Sequence, residues 1–302
     1  MKIVFMGTPE FAVSSLDILV QNGYEIVGVI TVPDKPAGRG HKLQQSAVKK
    51  YALEHNLPVL QPEKLKDPVF IEQLQALNAD LQVVVAFRML PAVVFQMPRY
   101  GTFNLHASLL PQYRGAAPIN WAVINGDTES GVTTFFIEQQ IDTGNIIFQE
   151  KTPIAPNQTA GELHDVLMDI GAKLVLKTVQ AIEAGNCTTQ PQPNLPDLRP
   201  APKIFTETCR INWQQPTAQV YNFVRGLSPY PAAFTTLHDK ILKIYQAKPI
   251  IEMYNQTAGT FVTDQKTYLH IATTDGWIEV LELQMEGKKR MGVQEFLRGN
   301  KV

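Results

Sequence analysis

Asn104 and His106 stand two positions apart at the end of a stretch that begins at Thr102. From Thr102 to His106 polar and apolar residues alternate, the period of a β-strand, and the stretch reads as a short strand leaving the sheet edge. Residues two apart on a strand share a face, so the two side chains project together. A carboxamide N–H beside an imidazole can hold a carbonyl oxygen as it becomes an oxyanion while a proton is moved. A carboxylate would complete the set by orienting the imidazole and taking the nucleophile's proton through water. Asp142-Thr143-Gly144 supplies one, although spacing alone does not bring Asp142 to the strand. For a lone histidine, a satisfied structural position at a strand end is the competing reading.

The string continues Ala107-Ser108-Leu109-Leu110-Pro111-Gln112-Tyr113-Arg114-Gly115. Taken with Asp142-Thr143-Gly144, it resembles the N10-formyltetrahydrofolate-dependent formyltransferases. The resemblance runs over nearly the whole chain and is closest to members that act on methionyl-tRNA. It implies that Asn104, His106 and Asp142 are catalytic and that 10-formyltetrahydrofolate is the formyl donor. No metal is then required, and no cluster of His, Cys and carboxylates has the look of a metal site. The implied acceptor is the α-amino group of methionine on initiator methionyl-tRNA. The implied folate pocket is formed by Ser108, Leu109, Leu110 and Pro111, with Phe87, Met89 and Leu90 from another strand end. On their own, Ser108–Pro111 could equally be a plain strand-to-helix loop, and Arg114 could simply bond loop carbonyls. Arg88 departs from the commoner family form, which has a glycine after the aromatic residue and a slightly longer turn.

Several elements must position these residues. Lys2 to Gly7 is a buried strand, Thr8-Pro9 starts a helix, and Glu25 to Thr31 is a second strand, which together make a βαβ unit and a parallel sheet. Gly7 is followed by Thr-Pro-Glu, so no GxGxxG dinucleotide fingerprint exists. Helices are expected over 46–56 and 67–78, a short strand over 58–60, and a fully buried strand over 81–87. Pro118 opens a helix to Ile124, Gly131–Ile137 and Ile146–Gln149 are strands, and a long helix ends before Gly185.

Pro33 to Lys42 has two prolines and two glycines, the composition of a loop, and carries Lys35, Arg39 and Lys42. Family members acting on tRNA have a similar Pro-Ala-Gly-Arg-Gly loop that enters the acceptor stem, so these three cations are expected to meet tRNA phosphates. Lys288, Lys289 and Arg290 form a second basic group for the same partner, with a solvated loop as the alternative.

Five prolines between Gln190 and Pro202 exclude helix and central strand, and leave an extended linker. An amphipathic helix follows over 216–226, then about five short strands in about sixty residues, the pattern of a small barrel. The expected architecture is α/β: a Rossmann-like parallel-sheet formyltransferase domain (1–187), a proline-rich linker (188–205) and an OB-like β-barrel that binds tRNA (206–302). Residues 1–196 carry 14 Lys and Arg against 18 Asp and Glu, whereas 197–302 carry 13 against 10. That modest positive balance at the C-terminal end fits a polyanion partner and a plain solvated surface about equally well. No apolar run reaches a membrane span, and two cysteines suit a reducing cytoplasm. A monomer is expected. Competing functions are formylation of an amino sugar nucleotide, formylation of glycinamide ribonucleotide, and a non-catalytic folate- or RNA-binding module.

Overall fold

The structure, a computed structural model, describes residues 1–37, 42–252 and 256–302. The chain divides into two compact units that interleave along the sequence. Met1–Gly115, Gly131–Thr152 and Asp165–Pro200 form one, and Ala116–Ser130, Pro153–His164 and Ala201–Val302 the other.

The chain begins with β1 (Lys2–Gly7), α1 (Glu10–Gln21) and β2 (Glu25–Ile30), the expected βαβ start. There follow β3 (Lys35–Ala37), β4 (Lys42–Gln44), α2 (Ala47–Glu54), β5 (Val59–Leu60), α3 (Pro68–Ala76), β6 (Leu81–Val85), α4 (Ala92–Phe95) and β7 (Thr102–His106). Next come α5 (Pro118–Ile124), β8 (Glu129–Phe136), β9 (Ile146–Pro153) and α6 (Ala160–Glu183). Side-chain caps fix several starts. Ser46 accepts from Lys49 N–H, Asp67 from Val69 N–H, and Thr159 with Glu162 forms a reciprocal capping box before α6.

Seven strands make one sheet in the order β5-β2-β1-β6-β7-β8-β9. The strands from β5 to β7 run parallel, and β8 pairs antiparallel with β7. β7 is therefore an inner strand, which corrects its expected position at the sheet edge. Its alternation comes from two differently used faces, not from solvent on one side. Phe103 and Leu105 are buried on one face, where Gly171 of α6 lets the helix close on Leu105: a Cβ there would lie 2.8 Å from Leu105 Cδ2. On the other face, Asn104 is in register with Val84, and Val84 with Met6, in a row that is otherwise apolar and buried. That side of the sheet carries a core of Val4, Met6, Ile30, Phe70, Leu74, Val84 and Leu90.

The stretch from Pro33 to Lys42, expected as a loop, begins and ends in a two-stranded ladder that pairs Lys35 with Gln44 and Ala37 with Lys42. A ladder of three pairs is too short for its periodicity to stand out against two prolines and two glycines.

The second unit holds α7 (Thr217–Gly226), β10 (Ala233–Leu237), β11 (Lys240–Ile250), β12 (Phe261–Thr263), β13 (Leu269–Ala272), β14 (Trp277–Met285), β15 (Met291–Gly292) and α8 (Val293–Gly299). The strands form an antiparallel sheet in the order β10-β11-β14-β13-β12, with β15 on β14, curled into a half-barrel. Val220, Val224, Leu242, Ile244, Ile271, Val280, Leu283 and Phe296 fill it. The sequence reading passed over β15 and α8, because two residues and seven give no measurable period. No helix among the described residues is long and apolar enough to cross a membrane.

Candidate active site

β7 delivers Asn104 and His106 to the C-terminal ends of the parallel strands, where open α/β sheets take their ligands. His106 is 6 % exposed. Its Nε2 lies 2.8 Å from the Tyr113 carbonyl, an acceptor only, so Nε2 carries a proton and Nδ1 is left for chemistry. Nδ1 lies 3.8 Å from Asp142 Oδ2, farther than a hydrogen bond. The same Oδ2 accepts from Gly115 N–H at 2.9 Å. Sequence separation hid this meeting of Asp142 with His106, and the fold produces it. Asn104 is half-buried and lies two residues before the imidazole on β7, so its carboxamide shares the strand face of His106.

The two loops that make this contact are strained and tightly fitted. β8 is antiparallel, so its last residues lie beside Phe103, at the start of β7, and the chain must double back to bring Asp142 to His106. Gly144 permits the return: a Cβ there would sit 1.7 Å from the Phe136 carbonyl oxygen. Asp142 itself has φ 54° and Tyr113 φ 60°, left-handed conformations that non-glycine residues adopt at a cost of roughly 1 kcal/mol. Such strain persists only where surrounding bonds overdetermine it.

Those bonds come largely from residues that the sequence reading did not single out. Thr133 of β8 faces His106 in register, and its Oγ1 donates to Ser108 O at 2.6 Å. It also accepts from Leu110 N–H and from Gln149 Nε2, while Gln149 donates to Leu110 O. Ser108 Oγ donates to Gln112 O. The Ser108–Pro111 turn is thus pinned from beneath by Thr133 and Gln149. Arg199 accepts from Tyr113 N–H at 2.7 Å through its carbonyl and donates to the Tyr113 hydroxyl. Gln112 exchanges bonds with Asp197 O and Arg199 N–H. A Thr-rich strand and a proline-rich tail were visible in the sequence, but neither carried a signal for these side-chain-to-backbone bonds.

Among the expected folate residues, Ser108, Leu110 and Pro111 are buried and Leu109 is half-buried. Phe87 is half-buried, Met89 is 71 % exposed, and Leu90 belongs to the core beneath the sheet. Arg88 turns its guanidinium away to the carbonyls of Pro62 and Glu63 and lies over the Phe87 ring, and burial lowers its pKa.

Among the expected tRNA residues, Lys35 is exposed in β3, Lys42 begins β4, and Arg39 lies outside the described residues. The hairpin is anchored by Asp34, whose carboxyl is held below its ordinary range by Lys49 Nζ at 2.6 Å and by Gln61 Nε2. Lys288 and Lys289 are exposed after β14, whereas Arg290 pairs with Glu282 and lies over the Tyr245 ring. No group of three or more His, Cys, Asp or Glu among the described residues is arranged to hold a metal ion.

An amide, an imidazole and a carboxylate gathered at the ends of a parallel sheet are groups that can act on a carbonyl. Two family models match the chain, formyl transferase over residues 1–179 and formyl transferase, C-terminal domain, over 203–301, and the chain belongs to the formyl transferase family. Curated relatives that match over nearly the whole chain include methionyl-tRNA formyltransferases. It is 57 % identical to that of Bacteroides fragilis over 99 % of this chain and 95 % of the relative, and 59 % identical to that of Bacteroides thetaiotaomicron with the same coverage. The fold is also that of WlaRD, a sugar 3N-formyl transferase (TM-score 0.69, 23 % identity, 96 % of this chain and 99 % of that one), solved with dTDP and 5-N-formyl-THF. HypX from Aquifex aeolicus with tetrahydrofolic acid matches at TM-score 0.67 and 19 % identity, over all of this chain and 50 % of that one.

Proposed function

We infer that this enzyme transfers a formyl group from 10-formyltetrahydrofolate to the α-amino group of methionine on initiator methionyl-tRNA, in the cytoplasm. The observation that carries the choice of acceptor is the identity of 57–59 % with methionyl-tRNA formyltransferases over 99 % of the chain. The chemistry rests on one sheet face. The folate supplies the formyl group when bound, and the exposed Met89 with half-buried Phe87 and Leu109 offers it apolar surface at the strand ends. Asn104 donates an N–H to the formyl oxygen as negative charge develops there. His106, held by Tyr113 through Nε2, accepts or returns a proton at Nδ1. Asp142 takes up the proton that leaves the amine, directly or through water, and passes it by way of Nδ1 to the folate nitrogen as that nitrogen's bond to the formyl carbon breaks. The tRNA is bound by Lys35, Arg39 and Lys42 and by the C-terminal half-barrel with Lys288, Lys289 and Arg290. Residues 1–187, 188–205 and 206–302 correspond on this reading to chemistry, connection and tRNA binding.

The test is an acceptor screen with 10-formyltetrahydrofolate and either methionyl-tRNA or a nucleotide-linked amino sugar. Formylation of methionyl-tRNA alone is expected. Formylation of the amino sugar alone would replace the assignment with the sugar reading, and formylation of neither would favour a non-catalytic module.

A further inference from the structure

Residues 188–205 were expected to be a proline-rich linker, and most of them lie in the segment between the two family matches, residues 180–202. One of its side chains enters the site. Gln190 pairs with Ile146 in both directions, at 2.8 and 2.9 Å, and so lays the segment along the start of β9. Two residues on, Gln192 is half-buried while its neighbours Pro191 and Pro193 are exposed. Its Nε2 donates to the Asp142 carbonyl at 2.8 Å and to the Gly144 carbonyl at 2.9 Å. Its Oε1 accepts from Arg114 Nε at 3.1 Å and from Arg114 Nη2 at 2.5 Å.

The orientation of this amide follows from its partners. Carbonyls only accept and a guanidinium only donates, so Nε2 must face residues 142 and 144 and Oε1 must face Arg114. Both N–H groups and both oxygen lone pairs are used. Gln192 therefore ties the loop bearing Asp142, where φ is 54°, to the Tyr113-Arg114-Gly115 turn, whose carbonyl holds His106 and whose N–H holds Asp142. Glutamate would turn an acceptor towards the two carbonyls, and alanine would leave both carbonyls and Arg114 without this partner.

We propose that Gln192 is a positioning residue for formyl transfer, which sets the Asp142 carboxylate against His106 by bridging the two loops that carry them. The proposal rests on the assignment of Asp142 to the transfer site. It gives the interdomain segment a part in the chemistry as well as in connecting the domains.

Because Gln192 acts through Asp142, its effect should vanish when the carboxylate is gone. Steady-state kinetics of the full chain with methionyl-tRNA compare Gln192→Ala, Gln192→Glu, Asp142→Asn and the Gln192→Ala/Asp142→Asn double variant, with folding checked by thermal melting. We expect kcat to fall about tenfold in Gln192→Ala, by analogy with misplacement of a catalytic group, and at least as far in Gln192→Glu, with KM for methionyl-tRNA near its parental value. The double variant should be no slower than Asp142→Asn, the non-additivity of residues acting as one unit. A parental kcat in Gln192→Ala, or a loss in the double variant equal to the product of the single losses, overturns the positioning role and leaves the site assignment standing. A parental kcat in Asp142→Asn overturns both.

Discussion

His106 and Leu283 are both buried, yet their surroundings are of opposite character. The loops around His106 are held by directed polar bonds: Tyr113 O to Nε2, Gly115 N–H to Asp142, Thr133 to Ser108 and Leu110, Gln192 to two carbonyls. Two residues there hold left-handed backbone. Leu283 instead lies on β14 among Leu242, Ile244, Val280 and Phe296, and its strand pairs with Ile244 of β11 on one side and Met291 of β15 on the other. The first region spends stability on geometry. The second gains it from apolar burial, with no strained backbone required along β14. Substitutions should therefore separate rate from stability according to where they fall.

The sharpest break is His106→Ala. Loss of the imidazole should lower turnover by roughly 10²–10³. The unfolding free energy should drop by only about 1–3 kcal/mol, the cost of losing the buried hydrogen bond from Nε2 to the Tyr113 carbonyl. Formylation assays beside denaturant titration measure both. A variant that melts early but turns over normally would place His106 with Leu283 as a structural residue.

Leu283→Ala should show the converse. A fully buried leucine lost from a packed core costs about 2–5 kcal/mol. Turnover per folded molecule should stay parental below the melting transition. A proportional fall in kcat would mean that the half-barrel core shapes the transfer site.

These contrasts also explain what could be seen in the sequence. Strands such as Lys2–Gly7 and Leu81–Val85 were visible because burial on both faces writes a continuous apolar run. Asn104 and His106 were visible because two polar residues at strand spacing interrupt that pattern. Asp142 was placed by resemblance, and its approach to His106 needs a loop that doubles back past Gly144. Gln192, Thr133 and Gln149 stayed hidden because a side chain bonding a distant backbone has no period and no local composition. The inner position of β7 was hidden for a related reason: an antiparallel partner adds to the sheet without altering the strand's own alternation.

The smallest expected effect lies on the surface of the second region. Lys288→Ala and Lys289→Ala should each weaken tRNA binding modestly and reduce the slope of log affinity against log salt by about 1. Arg290→Ala should change that slope less, because Glu282 and the Tyr245 ring already engage its guanidinium. Equal slopes in all three variants and the parent would remove this face from the tRNA footprint.

On the proposed reading, Asn104 on β7 donates to the developing oxyanion. Single-turnover formyl transfer to methionyl-tRNA by Asn104→Ala, with folate and tRNA both saturating, tests it most directly. The account predicts a transfer step slower by roughly 10²–10³ with folate and tRNA affinities preserved. A transfer rate equal to the parent's, under the same saturation, would contradict it.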